Sequence, residues 1–148
     1  MASEGFVLKN LHVYCSKYEI SKKNIHSLVS SLAKQLNFKI INLDINFISG
    51  DEIYEINKKY LKHFYTTDII TFNYSDNSEK LDGEIFISIE DALSNSKEFK
   101  VTFSEELVRL VIHGILHLLG YDDQTNSDKK IMKLLENELL YKNKFVLL

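Results

Sequence analysis

Strand-like and helix-like apolar periods that alternate along the chain predict an α/β (α+β) fold. The expected form is a mixed sheet of about four strands packed around a buried central helix. Three observations carry this. Short β-branched and aromatic runs recur near residues 11–15, 41–48, 69–72 and 84–89. Segments with apolar residues at helical spacing lie between and after them. The stretch 107–119 is apolar nearly all round, the pattern of a helix buried on every side. The 148 residues suffice for one domain with a real core, and without repeats, low-complexity linkers or a composition break they read as a single domain, 1–148.

Residues 6–14 alternate loosely through Val7, Leu11, Val13 and Tyr14, with the best strand at 11–15. Ser21 is placed to cap a helix over 22–36, with Ile25, Leu28, Val29, Leu32 and Leu36 on one face. Leu43, Ile45 and Phe47 alternate through a strand at 41–48. Ser49-Gly50-Asp51-Glu52 is a capping box, so a helix follows with Ile53, Ile56, Tyr60 and Leu61 inward. Residues 63–67 connect it to a strand at 69–72. Ser75 to Asp82 is polar and turn-like and reads as a mobile connection to a strand at 84–89. A short helix over 90–98 comes next. Thr102-Phe103-Ser104-Glu105 is a second capping box and opens the apolar helix. Ser127 starts a last helix with Ile131, Leu134, Leu135 and Leu139 inward.

Composition narrows the function classes. A net charge of −3 argues against binding nucleic acid through bulk charge, although lysine-rich edges at Lys58, Lys59 and Lys62 or at Lys129, Lys130 and Lys133 leave room for local backbone contacts. Such runs are more commonly solvated helix faces. One cysteine, Cys15, excludes an internal disulfide framework and fits a cytoplasmic protein. No stretch reads as a signal peptide or a membrane span.

The apolar helix carries His113 and His117, four residues apart and therefore one turn apart on one face. Two imidazoles so placed can share a metal ion. Gly120 follows and Asp123 comes three residues later, giving H-x3-H-x5-D. Were the helix to continue, Asp123 would sit about 15 Å along the axis from His113 and roughly 80° around it. Gly120 tolerates the left-handed conformation that ends a helix and reverses the chain, which brings Asp123 back toward the pair. The spacing matches the ligand positions of H-E-x-x-H-x-x-G-x-x-H zinc proteases, with one difference. Position 114 is Gly, where those enzymes carry the glutamate that activates water. Peptide hydrolysis by their mechanism is therefore not expected. Three ligands still leave an open position, at which a metal polarises a phosphoryl oxygen and makes water more acidic.

The stretch His113 to Asp123 resembles the signature of the YbeY family of rRNA-maturation endoribonucleases, H-G-x-L-H-L-x-G-Y-D-H, with only the last histidine changed. Asn57-Lys58-Lys59-Tyr60 is similar to the family's N-x-x-Y-R segment, and Thr67 to Phe72 to its T-D-V-L-S-F strand. Gly83 to Ser88 is similar to its G-D-I-x-I-S strand, and Met132 and Glu136 stand where its final helix has M and E. The likeness runs unbroken over about residues 40–140. It implies a metal-dependent, single-strand-directed endoribonuclease that matures the 3′ end of small-subunit rRNA and serves ribosome quality control. It also implies zinc on His113, His117 and Asp123, RNA as substrate and the small ribosomal subunit as partner, with neither DNA nor membrane involved.

Two departures bear on the mechanism. Asp123 replaces a histidine, which lowers the charge of the site by one and admits a harder metal than zinc. Asp122 is the competing acid, and register favours Asp123. Leu61 stands where the family has an arginine, so Arg109, the only arginine in the chain, or Lys62 is expected to supply positive charge for substrate binding. The alternative is that Arg109 pairs with Glu105 or Glu106. His63 reads as an exposed loop residue, and His12 and His26 as structural or solvated. Phe64, Tyr65, Phe72 and Tyr74 are candidates for stacking on bases, with Phe72 assigned to the core. Glu84 is the best-placed acid outside the motif by sequence. No residue is identified as the general base. Two other readings stand beside the nuclease: a metallohydrolase of another substrate, which Gly114 disfavours, and a non-catalytic, ribosome-associated metal-binding protein.

Overall fold

A computed structural model of the protein describes residues 8–15, 18–62, 67–144 and 148. Residues 1–7, His63, Phe64 and Tyr65 lie outside this set, and so do the expectations attached to them. Strand β1 (Leu11–Cys15) leads to helix α1 (Lys22–Leu36), whose cap Ser21 accepts a hydrogen bond from the Asn24 amide. Strand β2 (Lys39–Ile48) and helix α2 (Gly50–Leu61) follow, and the box formed by Ser49 and Glu52 is complete. Then come β3 (Ile69–Asn73), β4 (Lys80–Ser88), α3 (Ile89–Phe99), α4 (Phe103–Leu118) and α5 (Asn126–Lys142).

The sheet is mixed, as expected, with order β1-β2-β4-β3. β1 and β4 run parallel to β2, with Leu11 and Gly83 both aligned with Leu43, and β3 runs antiparallel on the edge beyond β4. Parallel neighbours require crossovers. α1 supplies the first, and α2 with β3 bridges the second. Leu43, Ile45 and Phe47 of β2 join Leu81, Ile85 and Ile87 of β4 in a core completed by α1 and α4. α4 packs against β3, β4, α3 and α5, so it is the buried centre its sequence predicted. Among the described residues no helix is long and apolar enough to cross a membrane.

Gly114 explains how closely α4 approaches the sheet. A Cβ there would meet Ile85 Cδ1 at 2.9 Å and Ile69 Cδ1 at 3.1 Å. The position of the protease glutamate is thus packed on the sheet, where a carboxylate has neither room nor a partner.

Three expectations needed correction. β4 begins at Lys80, not Glu84, because alternation starts earlier: Lys80 and Asp82 face outward while Leu81 and Gly83 are buried. Gly83 has no side chain to reveal that period. In α2 the buried face covers Gly50, Ile53 and Asn57, and the last turn projects past it. Tyr60 and Leu61 are therefore exposed, with Tyr60 meeting the sheet through an edge contact with Phe72 at 5.9 Å. α5 starts at Asn126, capped by Thr125, rather than at Ser127. Its inward face is Met132, Glu136 and Leu139, while Ile131 and Leu134 are 50% and 70% exposed.

Candidate metal centre

Thr102 caps α4 by accepting from the Glu105 amide, and the helix then runs through both histidines. Its end is a Schellman reversal: the Gly120 amide donates to the His117 carbonyl and the Tyr121 amide to the Leu116 carbonyl. Gly120 adopts φ 103, a left-handed value that a side chain disfavours. The reversal returns the chain across the histidine face. Asp123 Oδ2 lies 3.5 Å from His113 Nε2 and 3.4 Å from His117 Nε2, and the two ring nitrogens are 3.1 Å apart. Asp122 turns the other way and accepts from the Asp123 amide at 2.8 Å.

His113, His117 and Asp123 therefore form a candidate metal site. The fit can be tested on geometry and charge. A tetrahedral ion with bonds near 2.05 Å needs donor atoms about 3.3 Å apart, close to all three observed separations. Glu106 and Glu136, both buried, and the half-exposed Asp123 bring three carboxylates against the single guanidinium of Arg109. Among the described residues no lysine pairs directly with them, and a divalent cation at the donors supplies further positive charge.

Behind the donors lies a buried polar network. Arg109 donates from Nε and Nη2 to Glu106 at 2.9 and 2.6 Å, and from Nη1 to Glu136 at 3.1 Å. The Glu106 hydrogen bond pushes the guanidinium pKa further up, against the opposing effect of burial. The second oxygen of Glu136 meets Nδ1 of His113. Arg109 thus makes the Glu106 pair foreseen as the alternative and a Glu136 pair that was not foreseen. Its side chain remains 26% exposed, and one N–H on each terminal nitrogen has no partner among the described residues.

A groove of about 500 Å³ opens beside this network between α4 and α5, lined by Arg109, His113, Asp123, Lys129, Lys133 and Phe99, among others. Lys62 is the exposed cap of α2 and is not part of this lining. Glu84 lies on the sheet face away from α4, since its neighbour Ile85 faces Gly114; it accepts from the Tyr74 hydroxyl at 2.7 Å. That bond pushes the Tyr74 pKa up to about 12. His12 is exposed and bonds to Asn42, so it is solvated, whereas the buried His26 accepts from the Leu8 amide and is structural. Phe72 packs edge-on against Tyr60 and Phe86. Glu136 is the site residue whose role the sequence reading missed. The available signal was an acid at helical spacing within an apolar face, since buried acids require partners.

Comparison with known proteins agrees with the geometry. The family profile described as Endoribonuclease YbeY matches residues 10–144. A protein of Bacteroides fragilis named Endoribonuclease YbeY is 38% identical over 82% of this chain and 87% of its own length. One from Chlorobium phaeobacteroides with the same name is 36% identical over 92% and 94%. The solution structure of a Thermotoga maritima protein superposes with a TM-score of 0.66 at 26% identity, covering 90% of this chain and 88% of that one. A match over nearly the whole chain, with relatives this similar, means that the chain belongs to the YbeY endoribonuclease family.

Proposed function

We propose that this protein is a zinc-dependent, single-strand-directed endoribonuclease of the cytoplasm that matures the 3′ end of small-subunit rRNA in association with the ribosomal small subunit. As a family member it is an RNA-cleaving hydrolase. The observation that carries the metal dependence is the set of three donor atoms at ion-coordinating separations beside the groove. His113, His117 and Asp123 hold the ion in this reading. When bound, it acts as a Lewis acid toward a phosphoryl oxygen.

The chain's own groups do the rest. The outward N–H groups of Arg109 and the ammonium groups of Lys129 and Lys133 draw the phosphate backbone into the groove. The half-exposed ring of Phe99 offers a stacking face for an unpaired base. Lys62 adds positive charge at the end of α2, beside the vacant position of the family arginine.

The test incubates the protein with single-stranded RNA, with and without chelator, alongside a His117→Ala variant. Cleavage by wild type alone, abolished by the chelator, is expected. Activity that survives His117→Ala would belong to another site or a contaminant. Arg109→Ala should also reduce cleavage, and an unchanged rate would remove Arg109 from substrate binding. In cells lacking the gene, immature rRNA 3′ ends should accumulate.

A further inference from the structure

The metal group accounts for His113, His117 and Asp123 but not for the acids buried behind them. Glu106 is 1% exposed and Glu136 6%. Carboxylates are seldom buried so deeply unless paired. One guanidinium cannot neutralise both. Glu106 takes two of its three donor nitrogens, together with the Asn95 amide at 3.1 Å, and Asn95 also donates to Asp68 at 3.0 Å. Glu136 keeps a single Arg109 donor on one oxygen and turns the other to the His113 ring.

That contact fixes the chemistry of the ring. An ionised carboxylate only accepts, so facing ionised Glu136 the Nδ1 of His113 is the proton-bearing nitrogen. The opposite nitrogen, Nε2, is left with a lone pair, and it is the atom that faces His117 and Asp123. Resting on the reading of this group as a metal site, we infer that Glu136 is a positioning residue of the metal centre. It sets the tautomer and orientation of His113, and Arg109 braces it. The Asn95 amide, which donates to both Glu106 and Asp68, ties that brace to α3 and to the residue before β3. His117 has no such partner among the hydrogen bonds of the described residues, so the two imidazoles are not equivalent.

Zinc affinity separates this role from a purely structural ion pair. Metal-stripped full-length protein is titrated with zinc against a chromogenic chelator, for wild type, Glu136→Gln and Glu106→Gln, with circular dichroism confirming the fold. Glu136→Gln should weaken binding about 10–100-fold, the range for loss of a partner to a ligating histidine. Glu106→Gln removes one negative charge from the same network without touching His113, so its loss of affinity should be several-fold smaller than that of Glu136→Gln. Equal affinities for wild type and Glu136→Gln, or equal losses in the two variants, would overturn the inference. A wild type that binds no zinc would instead sink the metal-site reading beneath it. The ¹⁵N spectrum of zinc-loaded wild type decides the matter even where a variant does not fold. His113 should show a protonated Nδ1 and a coordinated Nε2, and coordination through Nδ1 contradicts the assignment.

Discussion

Adjacent aspartates of identical chemistry differ here only in where the backbone aims them. Asp123 points at the two Nε2 atoms, whereas Asp122 is spent on the amide of its neighbour. Asp123→Ala should therefore abolish metal retention in elemental analysis, while Asp122→Ala retains it. The reverse result would move the third ligand by one residue. His26 illustrates a different residue-scale effect. Burial, and secondarily the charge of His12, lowers its pKa from 6.5, and its Nδ1 is occupied as the acceptor of the Leu8 amide. Protonation is thus easier in the unfolded chain, which binds more protons below pH 6.5. The contribution of His26 to stability is complete above that pH and is lost as pH falls through the lower folded value. Urea midpoints should accordingly fall more between pH 7.5 and 5.5 for wild type than for His26→Gln, and equal falls would dismiss the linkage.

At the scale of elements, the reversal after α4 converts a sequence motif into a site. A Cβ at Gly120 would meet nothing within 4 Å, so substitution costs only the left-handed backbone. Gly120→Ala should lower unfolding free energy by about 1–2 kcal/mol, measured by denaturant titration, and should loosen metal binding because Asp123 depends on the turn. This part was legible beforehand, since histidines one turn apart, a glycine and an acid at fixed spacing leave few arrangements of backbone. The far wall was not. The reading that starts α5 at Ser127 puts Ile131 and Leu134 on its inward face, whereas Thr125 caps the helix and both residues are exposed. The true face of α5 contains Glu136, which hydropathy scores as solvent-facing. Its burial depends on Arg109 and His113, 27 and 23 residues away in the chain. Local periodicity carries no record of such a partner. β4 was cut short for a related reason, because Gly83 marks its inward position with no side chain at all.

For the whole molecule, the charge balance makes the ion part of the fold as well as of the chemistry. α4 touches β3, β4, α3 and α5, and the donor set joins its C-terminal half to the chain that turns back from it. Glu136 adds α5 to the same cluster. Without a cation, three carboxylates crowd one directly paired guanidinium, and repulsion there acts on the helix that β3, β4, α3 and α5 all touch. A ligand that binds only the folded state at a hundred times its dissociation constant adds about 2.7 kcal/mol. For a domain of this size that corresponds to roughly 5–10 °C in the unfolding midpoint. Stripping the metal from wild type should lower the midpoint by that order, and restoring zinc should recover it. His117→Ala should show no response to either treatment. A wild-type midpoint that ignores both chelator and zinc would mean that the cluster carries its charge without a metal.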